Sequence, residues 1–282
     1  MRNEEEPVAE FFSRNAQGWK ERYDLETFDA YNYKERARIA TRWLFEALPR
    51  GGGRLLEMGC GAGVQARAIQ GIGWSVTGAD ISLDMVRTGA AGGTPPNWLV
   101  CNTSALPFAA CSFDAVVLLG VIGYIPRPAA ALRKLRTVLK PDGILVISWY
   151  SPPPYLLSAV SDALSLPIQK VYELFRRLSR RPLQEKWTEH NFYQTHNRPW
   201  HPIEFQNYLR EAGFDVRKIR SVNFGRIRVA EKALWGEKGD IRASRALEVA
   251  TARLNLNRLR GLARTHVALA HPKVGTNFTP VT

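Results

Sequence analysis

Cysteine is scarce in this 282-residue chain: Cys60, Cys101 and Cys111 are the only three, and no two of them stand in a CxxC spacing. That argues against a structural zinc site and a disulfide framework, and it suits a reducing compartment such as the cytoplasm. Long apolar runs are missing as well, none approaching the roughly 20 residues of a membrane-spanning helix. The stretch Met1–Glu10 is acidic and polar, so no secretory signal is expected there. Negative charge is in short supply, with 26 Asp and Glu against 39 Lys and Arg, a formal net charge of +13. A field of that sign gathers anions, whether nucleic acid, acidic lipid headgroups or phosphorylated small molecules; a merely solvated surface is the plain alternative. Internal repeats and low-complexity tracts are also absent.

What the chain does have is a glycine turn in an α/β setting. Leu55 and Leu56 lead into Glu57 and then into glycines at alternate positions, Gly59, Gly61 and Gly63. From Val64 the apolar residues Ala68, Ile69 and Ile72 follow one helical face, which Gly71 and Gly73 end. Trp74 to Ala79 is extended and closes on Asp80. Strand, tight turn, helix, strand and acidic residue make half of a nucleotide-binding α/β fold.

Around this unit the spacing predicts a helical cap over residues 1–50, with apolar stripes at Phe11, Phe12, Ala16 and Trp19 and at Ile39, Trp43, Leu44 and Leu48. Trp19 and the aromatics between the stripes, Tyr23, Tyr31 and Tyr33, either pack in the core or fold over a ligand at the glycine turn. A helix from Leu83 to about Ala91 and a strand at Asn97–Cys101 follow. Ala115 to Leu119 reads as a strand buried on both faces. Leu132, Leu135 and Leu139 mark a helix stopped by the turn KPDG, with a strand over Ile144–Trp149 beyond it. Regularity lapses over 151–201, a lid candidate with a helix expected at Lys170–Arg181. The core, 51–150, resumes over 202–282 with a helix after Pro202 and strands at Phe214–Ile219 and Thr265–His271. A basic helical insertion interrupts it at about 232–264; beyond Asp240 six arginines stand against Glu248 alone.

Two features oppose a dinucleotide site. Val64 stands where the last small residue of GxGxxG or GxGxxA belongs, and a pyrophosphate would sit badly beside Glu57. A cationic ligand without phosphate tolerates that carboxylate, and S-adenosylmethionine, with a sulfonium and an ammonium, is one. The chain resembles the class I S-adenosylmethionine-dependent methyltransferases of the small-molecule, type 11-like group. The resemblance rests on LLEMGCGAG at 55–63, GADIS at 78–82, SALPF at 104–108, SFDAVVLLGVIGYIPRP at 112–128 and LRKLRTVLKPDGILVIS at 132–148.

The resemblance implies an α/β, Rossmann-like mixed seven-stranded sheet with helices on both faces. It implies that Gly59, Gly61 and Gly63 pass under the methionine and ribose, that Glu57 shapes the loop, and that Asp80 accepts from both ribose hydroxyls. Ile81 and Met85 would pack on the adenine. Asn102 stands where the family usually has an aspartate, its amide oxygen accepting from the adenine amino group, and Thr103 offers its N–H. Leu119 and Gly120 would turn carbonyls to the ammonium, and Arg36 would hold the carboxylate or be an ordinary surface charge. Gly123 replaces a frequent His or Glu after strand four. His196 and His201 are therefore the candidate bases, their alternative being hydrogen bonds within the lid, with Tyr124 and Tyr193 as substrate-contacting aromatics.

The expected reaction is O-methylation of a small or lipid-linked biosynthetic intermediate, leaving S-adenosylhomocysteine. C- or N-methylation, RNA or protein as acceptor, and a membrane-surface module on an inactive fold are the alternatives. Against nucleic acid, GVIGY stands where an NPPY-type tetrapeptide would, and the arginines lack aromatic partners on a common face.

Overall fold

The computed structural model describes residues 5–50, 52–93, 95–152, 189–224, 228–229, 232–233, 236–253 and 263–273. The helix expected at Lys170–Arg181 and the end of the basic insertion lie outside them.

Two helices, α1 (Glu6–Trp19) and α2 (Phe28–Ala47), precede the sheet. Thr27 starts α2 by accepting from the Ala30 N–H through its side chain, an N-cap that satisfies one of the helix's orphan donors. Then come β1 (Gly53–Met58), α3 (Val64–Gly71), β2 (Trp74–Asp80), α4 (Leu83–Ala90), β3 (Asn97–Val100) and β4 (Phe113–Leu119). They are followed by α5 (Pro128–Val138), β5 (Leu139–Tyr150), α6 (Glu189–His196), α7 (Pro202–Glu211), β6 (Phe214–Val222), α8 (Gly236–Arg253) and β7 (Thr265–Pro272). The seven strands lie in the order β3-β2-β1-β4-β5-β7-β6, with β7 antiparallel to both neighbours. A separate two-residue ribbon pairs Arg228–Val229 with Lys232–Ala233.

Successive strand residues point to opposite faces, so the unbroken apolar runs divide between two cores. Leu56, Val116 and Leu145 pack with Leu132 and Leu135 of α5 and Phe205 and Leu209 of α7. Leu55, Val117 and Val146 pack with Ile39, Trp43 and Leu44 of α2 and Ile69 of α3. The seven-stranded expectation holds. One boundary is corrected: the KPDG segment does not end in a free turn, because β5 runs from Leu139. Phe113 pairs with Leu139 and Ala115 with Ile144, so the turn residues are taken up as a bulge against β4.

Strand order reverses at β1, which pairs with β2 on one side and β4 on the other. In open α/β sheets the crevice outside the carboxyl ends at such a switch point is where ligands bind.

Candidate active site

At the end of β1 the chain turns under β2, the amides of Gly59 and Cys60 both donating to the Ala79 carbonyl at 2.7 and 3.0 Å. Gly59 has φ +72°, and a Cβ there would lie 2.2 Å from Val121 Cγ2. Glycine therefore meets two needs, a left-handed backbone and a close approach. Gly63 has a different task from Gly59 and Gly61. A Cβ on it would lie 2.3 Å from the Trp98 ring, as one on Gly78 or Gly89 would at 2.8 and 2.9 Å, so the three make a slot for that indole. Gly59 and Gly61 line the cavity described below; Gly63 does not.

Asp80 ends β2. Its Oδ2 accepts from the Gly61 N–H and its Oδ1 from the Ser82 N–H, both at 2.9 Å. Ser82 in turn caps α4 through Met85 N. Burial pushes the Asp80 carboxyl above the usual range, and the backbone donors from Ser82, Gly61 and Ile81 oppose that push. Glu57 is 3% exposed and its Oε2 has no partner among the described residues. Burial first, and the neighbouring Asp80 second, hold its carboxyl well above the ordinary value.

Arg36 reaches in from α2, 6% exposed, with Nε and Nη1 unpartnered among the described residues. Its guanidinium lies 5.2 Å from the Tyr33 ring centre and 5.4 Å from that of Tyr150, both cation–π distances. Space for it comes from Gly120, where a Cβ would sit 2.3 Å from Nη1. At the β3 end, the Asn102 Oδ1 accepts from Ser104 Oγ (2.7 Å) and Ala105 N (3.0 Å), while its Nδ2 donates to Glu5 Oε2 (2.8 Å).

These groups share one cavity of about 890 Å³. Arg36, Glu57, Gly59, Gly61, Asp80, Ile81, Met85, Asn102, Thr103, Leu119 and Gly120 line it, as do Tyr124 and Tyr193. Its volume is near the top of the range for small-molecule sites, room for a nucleoside and a second ligand.

The profile of a family described as a methyltransferase domain matches residues 30–219, well over half of the chain. This protein is an S-adenosylmethionine-dependent methyltransferase. Among its relatives, the ubiquinone biosynthesis O-methyltransferase of Albidiferax ferrireducens is 30% identical over 196 residues, covering 66% of this chain and 69% of that one. The demethylmenaquinone methyltransferase of Clavibacter sepedonicus is 27% identical over 185 residues, 63% and 71% of the two chains. In fold the methyltransferase resembles the Haloferax volcanii methyltransferase solved with its activator Trm112, at TM-score 0.58 and 17% identity over 93% of this chain and 97% of that one. It also resembles the cyclase SpnF, at TM-score 0.53 and 20% identity over 85% and 82%, so the fold alone does not dictate the reaction.

Aromatic side chains pack around the cavity-lining Phe12, Tyr124 and Tyr193 of the methyltransferase. Phe11 of α1 stacks on Phe192 of α6 at 3.7 Å, and Phe12 meets Tyr124 edge-on at 5.4 Å. Tyr23, Tyr33 and Tyr150 line the same space, whereas Tyr31 faces away and donates to Glu248 at 2.9 Å. His196 and His201 do not line the cavity. The His196 ring stacks on Phe192, and its Nδ1 lies 2.7 Å from Thr195 Oγ1. His201 is the N-cap of α7, its Nδ1 accepting from Ile203 N. The residue that fills the space over Gly123 is Asn197, whose Oδ1 lies 1.9 Å from where a Gly123 Cβ would be and whose Nδ2 donates to Tyr124 OH at 3.3 Å. Glycine at 123 was the one sequence sign that some other side chain enters there; nothing marked Asn197, Glu5 or Asn32 as cavity residues. Among the described residues no helix is long and apolar enough to cross a membrane.

Proposed function

We propose that this methyltransferase acts on an oxygen of a small hydroxylated aromatic intermediate, with S-adenosylmethionine as donor. The observation that carries the reading is one cavity that holds two buried groups of opposite character with unpartnered atoms, Glu57 next to Asp80 and Arg36 against the Tyr33 and Tyr150 rings, with Tyr124 and Tyr193 lining the same space. The residues fit the donor. A carboxylate and a guanidinium without partners match a zwitterionic amino-acid end, Arg36 holding the carboxylate and Glu57, with the Leu119 and Gly120 carbonyls, facing the ammonium. Asp80 would accept from the ribose hydroxyls, and Ile81 and Met85 pack against the base, with Thr103 and Asn102 at its edge.

When bound, the donor supplies a methyl group on a sulfonium that leaves as a neutral thioether. The chain's contribution is alignment and exclusion of water. Burial pushes the Tyr124 phenol well above its ordinary value, so it stays protonated and orients the acceptor as a hydrogen-bond donor, with Tyr193 beside it. With His196 and His201 off the cavity, we do not assign them a proton transfer. A phenolic acceptor, which ionises at about pH 10 unaided, asks far less of a base than an alcohol does. The name of one relative, the ubiquinone biosynthesis O-methyltransferase, points to oxygen as well. Incubation with methyl-tritiated donor and a panel of catechols, hydroquinones, sugars and amines is expected to label the aryl hydroxyls; label confined to sugars or amines refutes this choice of acceptor.

Burial first and Asp80 second raise the Glu57 carboxyl in the empty site, and a bound ammonium favours its ionised form. Binding of S-adenosylhomocysteine is therefore expected to release a proton. Affinity should rise as pH climbs from the ordinary carboxylate range through the raised Glu57 value and level off above it. Titration calorimetry in two buffers of unlike ionisation enthalpy measures this, and pH-independent binding without proton release contradicts it.

A further inference from the structure

Building on the donor assignment above, we infer that the purine edge is read by Glu5, at the start of α1, and not by Asn102. Asp80 pairs with Val100 across β2 and β3, so the loop Cys101–Thr103 lies one strand outward from Asp80. A nucleoside with its ribose on Asp80 and its ring over Ile81 and Met85 therefore points its far edge at that loop. Asn102 cannot accept there. Both bonds to its amide oxygen come from its own loop, Ser104 and Ala105, and its amide N–H is spent on Glu5. A carboxylate has about four acceptor directions, and the Asn102 N–H takes one of those on Oε2. Glu5 itself lines the cavity.

The rest of α1 holds Glu5 in place. Ser13 Oγ is 2.8 Å from Ser82 Oγ, on the residue that also donates its N–H to Asp80. The Trp19 indole nitrogen lies 3.4 Å from the point a Gly61 Cβ would occupy. The helix thus touches the β3 loop, the start of α4 and the glycine turn, the three segments that surround the nucleoside. Asn102 becomes a positioning residue: its N–H aims the Glu5 carboxylate, which then takes a hydrogen from the exocyclic amino group of adenine. The same carboxylate repels the carbonyl oxygen that hypoxanthine carries at that place, which gives base selectivity.

The test compares S-adenosylhomocysteine with S-inosylhomocysteine by titration calorimetry. Wild type is expected to prefer the adenosyl compound by roughly tenfold or more, the worth of one charge-assisted bond. Glu5→Ala should bring that ratio close to one, weakening the adenosyl ligand and relieving the repulsion of the inosyl one. Glu5→Gln, whose amide can donate to a carbonyl, should bind the inosyl compound more tightly than wild type does. The Glu5 side chain makes no capping bond to α1, and matching melting temperatures of the variants and wild type check that the helix start is kept. An unchanged ratio in Glu5→Ala overturns the inference, as does a ratio lost in Asn102→Ala but kept in Glu5→Ala. If wild type binds neither compound, the donor assignment itself fails and this reading falls with it.

Discussion

Asp80→Ala is expected to weaken S-adenosylhomocysteine binding at least a hundredfold. In the proposed complex both ribose hydroxyls donate to this carboxylate, and hydrogen bonds to a charged group are worth about 1.5–3 kcal/mol each. The substitution also strips the Gly61 and Ser82 amides of their acceptor, so the glycine turn and the start of α4 lose the group that joins them. Stability should respond much less. Removing a carboxylate whose burial alone pushes its pKa up relieves a desolvation cost, which offsets part of the two lost backbone bonds. Asp80→Asn keeps one acceptor oxygen and should lose only about tenfold. Calorimetry beside thermal melting separates the effects: a dissociation constant within threefold of wild type for Asp80→Ala removes the ribose assignment, whatever the melting point does.

The place of Asp80 at the end of β2 was legible in the sequence because the pattern is local: a strand, a tight turn and a strand end within thirty residues. The division of the sheet into two apolar faces was legible for the same reason, since alternation along Leu55–Leu56 or Val116–Val117 needs no knowledge of the partner. Gly63 was not, because the indole that requires its missing side chain belongs to Trp98, one strand and one helix further on. Tyr31 and Tyr33 show how far pattern can go. Two residues apart on a helix they point to opposite sides, so one can line the cavity and the other cannot, but the pattern does not say which. His201 carried a readable local signal, since a polar residue just before a proline that opens a helix is an N-cap position. That signal competed with the chemistry that His196 and His201 offer as bases. Glu5 and Asn197 act across distances in sequence that a single chain, read alone, does not reveal.

The basic insertion holds the second large effect. Its helix α8 turns a polar stripe inward, Asp240, Ser244 and Glu248 at four-residue spacing, all buried, while Arg242, Arg245 and Arg253 face solvent. Glu248 is the hub of that stripe. Its Oε1 accepts from Asn223 N and Ser244 Oγ, both at 3.0 Å, and its Oε2 from Tyr31 OH at 2.9 Å, so one carboxylate joins α8, the end of β6 and α2. Glu248→Ala leaves those three buried donors without it and should cost about 3–5 kcal/mol, given 1–3 kcal/mol for each unsatisfied group. For a chain of this size that is a fall in melting temperature of about 10 °C. Asn223, held in the left-handed region at φ +58°, lines the cavity with Arg264, whose N–H donates to the Asn223 carbonyl at 2.7 Å. The part of the cavity wall that Asn223 and Arg264 form beside Ser151, away from the Asp80 loop, should therefore be disturbed, and the KM for the acceptor should rise. Burial raises the Glu248 carboxyl above its ordinary value against the pull of its three donors. Its folded pKa exceeds the unfolded one, so its share of stability is complete below the ordinary carboxylate range and is lost as pH rises through the folded value. Glu248→Gln cannot ionise and should flatten that slope while costing less than the alanine. A Glu248→Ala protein that melts within 2 °C of wild type, with an unchanged acceptor KM, would show that α8 is held by other contacts.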